Sequence, residues 1–169
     1  MKTHFTLLLL FISALSFSQN QKKIDLEKLK IKVHKLINQE RVNNDRKILN
    51  QDIYLKKAAE DHAKFIAKIQ NLSHEQTDEK KLKPKDRVFF HGGNSFVLVG
   101  ENLLFTSIKE QIYTDEDLET LALKMFNLWK NSPNHYKNMI EHKYLYTEIG
   151  FSIDWENNKI YAVQLFGAK

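Results

Sequence analysis

The chain of 169 residues has no cysteine, two prolines and five glycines. Without cysteine there can be no disulfide, no thiol nucleophile and no thiolate-bound zinc, so an exported domain of this sequence must be held by packing alone. Beyond the N-terminus no stretch approaches the roughly 18 apolar residues that a membrane helix needs. Strong charge of one sign is missing too: 26 Lys and Arg face 21 Asp and Glu, a formal net charge of +5. The lysines at 22, 23, 28, 30, 32 and 35 interleave with apolar residues, as on a solvated helix face. No aromatic-basic alternation points to nucleic acid. There is no G-x-S-x-G elbow, no H-E-x-x-H, no internal repeat and no low-complexity tract.

What is present begins with "MKTHFTLLLLFISALSFSQ", a lysine, an apolar run and small residues at Ser16 and Ser18. That is the pattern of a secretory signal peptide over residues 1–18, cleaved near Ser18. The mature chain, residues 19–169, is then a secreted or periplasmic protein of 151 residues, enough for one domain with a real core.

Apolar periodicity outlines the elements. Asp25 caps a first helix with Leu26, Leu29, Val33, Leu36 and Ile37 in a stripe. A second helix runs over 53–69 on Leu55, Ala59, His62, Ile66 and Ile69, and His62 inside that stripe reads as a core histidine with locally satisfied nitrogens. The stretch 71–96 is polar and highly charged, so it reads as a long loop whose residues 76–86 are the most mobile internal segment. "FVLVGENLLF" reads as an extended segment interrupted at Gly100. A third helix follows over 115–129, on Leu118, Leu121, Met125 and Leu128 behind a Thr114 or Asp115 cap. The alternating run Ile149, Phe151, Ile153, Trp155, a turn at Asn157-Asn158 and the return through Tyr161, Val163 and Leu165 make a hairpin.

"SPNHYKNM" starts a fourth helix, with Ser132 as N-cap and Pro133 at the first helical position. His135 falls in its first turn, where the positive dipole end disfavours an imidazolium and leaves a neutral ring able to bind metal or accept a proton. Four helices, a hairpin and one more extended segment give a layered domain without the alternation of a parallel sheet.

The ordered set "LINQERVNND", "AAEDHAKFI", "LSH", "GENLL", "LWKNSPNHYKNM" and "YTEIGFSID" resembles the CAP superfamily, the secreted domain of cysteine-rich secretory, antigen 5 and pathogenesis-related proteins, in its short bacterial form. The resemblance spans about residues 36 to 166. It implies an α+β fold, a three-layer α-β-α sandwich of about four helices around a small antiparallel sheet. It also implies a cleft in which two histidines and acidic residues converge, carried here by His74, Glu101 and His135. Fuller members have a second glutamate after the tryptophan of the third helix; here Ser132 takes its place.

Two imidazoles and a carboxylate suit a divalent ion such as zinc, held weakly by His74 and His135. The family is known mainly for extracellular binding, so the expected role is a monomeric binding module for a small-molecule, lipid or envelope ligand. The alternative is a metal-dependent hydrolase of peptidase type, with Glu101 as base to a metal-bound water. The candidate catalytic residues are the same three, His74, Glu101 and His135.

Overall fold

The computed structural model describes residues 23–169. The signal peptide expected over 1–18 lies outside the described residues. The first helix, α1 (Leu26–Asn43), starts where Asp25 accepts a hydrogen bond from the Lys28 amide. α2 (Ile53–Ile69) starts where Asp52 accepts from the Tyr54 and Leu55 amides. Each cap satisfies donors that the first helical turn would otherwise leave unpaired.

The charged stretch after α2 is more structured than its composition suggests. It holds a 3₁₀ turn (Glu79–Lys81) and a short helix, α3 (Pro84–Phe90), with Pro84 at its start and the Asp86 carboxylate accepting from the Lys83 amide at 2.9 Å. The fold therefore has five α-helices rather than four. Gln76 is buried, and its amide donates to the Leu82 carbonyl. The segment is thus tied back on itself and not the loose loop that its lysines suggest.

β1 (Leu98–Ser107), α4 (Asp115–Lys130), α5 (Pro133–Met139), β2 (Tyr146–Asp154) and β3 (Lys159–Ala168) complete the chain. The strands form one antiparallel sheet in the order β1-β3-β2, with Glu101 opposite Leu165 and Glu148 opposite the same leucine from the other side. Gly100 does not interrupt β1; it pairs with Phe166. A side chain there would collide with the Tyr144 hydroxyl, which lies 2.1 Å from where its Cβ would be.

The sheet is covered on both faces. Leu104, Ile160, Ala162 and Phe166 pack with α1 and α4 in one apolar cluster. Leu103, Val163 and Leu165 pack with Leu55, Ala59, Ala63 and Ile66 of α2 in the other. α2 lies so close to β2 that a Cβ on Gly150 would stand 2.2 Å from the Ala59 carbonyl carbon.

The stripes hold, with local drift. On α4, Leu118, Leu121 and Met125 are buried, but Leu128 is 45% exposed and Trp129 takes the inner position. On α2, Ile69 is exposed. On α1, Lys30 leaves the solvated face and is buried beside Glu27, at 2.7 Å. No helix of the described residues is long and apolar enough to cross a membrane.

Candidate functional site

Glu101 is the charge that the apolar run of β1 carries into the interior, and its side chain is 1% exposed. A buried carboxylate needs partners, because desolvation without them costs several kcal/mol. It has two. The Arg87 guanidinium, on α3, reaches Glu101 Oε2 at 2.6 Å, and the His74 Nδ1–H donates to Glu101 Oε1 at 2.8 Å. Arg87 is itself fully buried and donates further to the carbonyls of His74, Lys81 and Leu82. One side chain thus ties the carboxylate on the sheet to both ends of the 74–82 segment.

His62 approaches the same carboxylate oxygen to 3.7 Å but is spoken for: its Nε2–H donates to the Ser73 carbonyl at 2.8 Å, and its Nδ1 accepts from Gln76 at 3.1 Å. Those bonds fix the neutral tautomer of a core histidine. Burial holds its pKa below the ordinary value, outweighing the pull of Glu101.

His74 behaves in the opposite way. Its hydrogen bond to Glu101 raises its pKa. With Nδ1 committed and the side chain 57% exposed, Nε2 is the nitrogen left to meet a ligand. His135 arrives from the other layer. α5 is laced to β1 by Asn102, which donates to the His135 carbonyl at 3.0 Å, and by Asn138, which donates to Asn102 Oδ1 and to the Glu101 carbonyl. The His135 pKa is lowered first by burial and then by the charge of His74, which makes the two imidazoles electrostatic neighbours. The direction matches that expected of a ring at a helix start, but the cause is different. Its Nδ1 is buried without a hydrogen-bond partner.

Ser132 occupies the N-cap position of α5, yet its side chain makes no capping hydrogen bond. Of the four residues expected in a cleft, His74 and Glu101 are therefore in direct contact, His135 lies near His74, and Ser132 stands one helical turn before it. Arg87, Gln76, Asn102 and Asn138 were not anticipated. The signal for Arg87 was available: a glutamate inside "VGENLLF" demands a buried cation, and a single arginine lies in the stretch preceding it.

Whether these residues suit zinc depends on their free lone pairs. Glu101 has both oxygens engaged and His62 both nitrogens, so the protein donors come down to the imidazoles of His74 and His135. Zinc sites in proteins use three or four protein ligands. Among the described residues no group of three or more His, Asp or Glu is disposed to hold a metal ion. The set does not fit a zinc site of that kind.

The profile of the cysteine-rich secretory protein family, CAP, matches residues 34–166. The chain belongs to the CAP family. It does so without the cysteines of that family's name. No match is found among the curated proteins. Solved structures share the fold: an outer surface protein from Borrelia burgdorferi is 23% identical with a TM-score of 0.69, over 89% of this chain and 98% of that one. An extracellular protein containing an SCP domain from Bacillus anthracis is 20% identical with a TM-score of 0.62, over 85% of this chain and 41% of that one. NaASP2, solved with Zn2+, is 14% identical with a TM-score of 0.54, over 83% of this chain and 79% of that one. The CAP assignment and the α+β architecture therefore stand on both sequence and fold.

Proposed function

We propose that this CAP domain is an exported binding module whose polar cleft, formed by His74, Glu101, Ser132 and His135, recognises a ligand without transforming it. The carrying observation is the state of Glu101. A general base must reach the proton it abstracts and have a lone pair to take it. Glu101 spends both oxygens on Arg87 and His74 and is sealed from solvent. The hydrolase alternative needs this carboxylate free, so binding is the better reading. Export is supported by the signal-like N-terminus and by the outer-surface and extracellular character of two fold relatives.

A lipid-like ligand is supported by a second feature. Between α1 and α4 lies a groove of about 520 Å³ floored by Ile31, Leu36, Ala122 and Leu123 and rimmed by Lys32 and Lys35. That volume falls within the usual range of small-molecule sites, roughly 300 to 1,000 Å³. Its lysines suit the carboxylate of an acyl chain.

The test uses a fluorescent fatty acid together with ester and peptide substrates. Saturable binding of the fatty acid, weakened at least tenfold by Leu123→Asp, with no turnover of either substrate, is the expected result. Turnover abolished by a chelator and by His74→Ala would overturn the binding reading in favour of the hydrolase. Absence of fatty-acid binding would remove the lipid-like ligand.

A further inference from the structure

We propose that Arg87 is the residue that sets the ligand class of the cleft, by occupying Glu101 so that the site refuses a divalent cation and offers only imidazole edges to a polar group. The proposal rests on the reading that His74 and His135 share one cleft.

The argument starts from charge. Glu101 is the carboxylate that touches His74, and its other oxygen lies 2.6 Å from a guanidinium that is 0% exposed. For a metal ion to bind Glu101 it would have to sit about 2.0–2.2 Å from a carboxylate oxygen. There it would meet either the Arg87 charge, buried and unable to turn away, or the Nδ1–H of His74. Arg87 cannot leave cheaply. It also donates to the carbonyls of His74, Lys81 and Leu82, so releasing Glu101 would loosen the segment that carries His74.

A guanidinium differs from a metal in one decisive respect: it neutralises the carboxylate and has no open coordination position to offer a ligand. The pair therefore turns Glu101 from a ligand into a positioning group. It fixes the His74 ring through Nδ1 and leaves Nε2 outward. Ser132 strengthens the effect, because its hydroxyl brings no negative charge to offset a cation.

The experiment is zinc titration by calorimetry, with folding checked by circular dichroism, on the wild type and on Arg87→Met, Arg87→Met/Glu101→Gln, Arg87→Met/His74→Ala and Arg87→Met/His135→Ala. Freed of Arg87, Glu101 supplies a third donor, and Arg87→Met should bind zinc about tenfold or more tighter than the wild type. Adding Glu101→Gln should abolish the gain, and so should either histidine substitution. An Arg87→Met protein no tighter than the wild type overturns the proposal while leaving the shared cleft intact. A gain that survives both histidine substitutions overturns the shared cleft and the proposal with it. If Arg87→Met does not fold, the wild type decides: the carboxyl carbon resonance of Glu101 should stay in place through a zinc titration. Its displacement overturns the proposal.

Discussion

The two faces of the sheet are built by different means. Towards α1 and α4 the interior is a continuous apolar cluster around Trp129, Met125, Leu104, Ile160 and Phe166. Towards α2 and α3 the aliphatic packing of Leu55, Ala59, Ile66 and Leu165 gives way, at the β1 end, to a dry polar cluster of Arg87, Glu101, His62 and Gln76. The first face is non-directional and tolerates drift, which is why Trp129 could replace Leu128 at the inner position of α4 without disturbing the layer. The second is directional. Each of its members has a named partner, and removing one strands another.

Substitutions sharpen the contrast. Trp129→Ala should cause the largest loss, about 4 kcal/mol, because a fully buried indole leaves a cavity. Denaturant titration should give nearly the same loss at pH 7 and pH 5, and a loss below 1 kcal/mol would mean that this layer is not close-packed. Arg87→Met should cost about 3 kcal/mol by leaving Glu101 buried without its cation. Hydrogen exchange should then quicken across 73–82 and 84–90 together, since Arg87 holds the carbonyls of the first segment. Exchange that quickens in α3 alone would separate the loop from the pair.

Acid should act on the polar face. The folded pKa of His62 lies below its unfolded value, so its neutral form contributes stability that is complete above the unfolded pKa, about 6.5, and is lost as pH falls through that value towards the folded pKa. His74 has the opposite sign: its raised folded pKa adds stability at low pH that is lost as pH rises through it, weakly because the ring is largely exposed. The buried residue should prevail, and the wild type should lose stability between pH 6.5 and 5. His62→Gln should flatten that slope, and an unchanged slope would place the acid sensitivity elsewhere. The smallest expected effect lies on the apolar side, where Thr114→Ala should cost about 1 kcal/mol by removing the cap of α4.

The same contrast explains how much could be read in advance. The apolar face announces itself by period: the stripes of α1 and α4, the caps Asp25 and Thr114 and the alternation of the hairpin all appear in the sequence. The polar face does not. "KLKPKDRVFF" has the composition of a loop, and a helix of seven residues carries too little periodicity to contradict it. A buried arginine looks like a surface arginine until its carboxylate is located. His74 and Glu101 were legible through the CAP resemblance, but whether Glu101 would be a ligand or an anchor depended on Arg87, fourteen residues away in sequence and one hydrogen bond away in space.

The account's central claim is that Arg87 and Glu101 form one buried unit that organises the cleft. A double-mutant cycle tests it most directly, with denaturant unfolding of the wild type, Arg87→Met, Glu101→Gln and the double variant. A coupling energy of about 2–3 kcal/mol is predicted, with the double variant no less stable than either single one. Additive losses, with a coupling below about 0.5 kcal/mol, would contradict it.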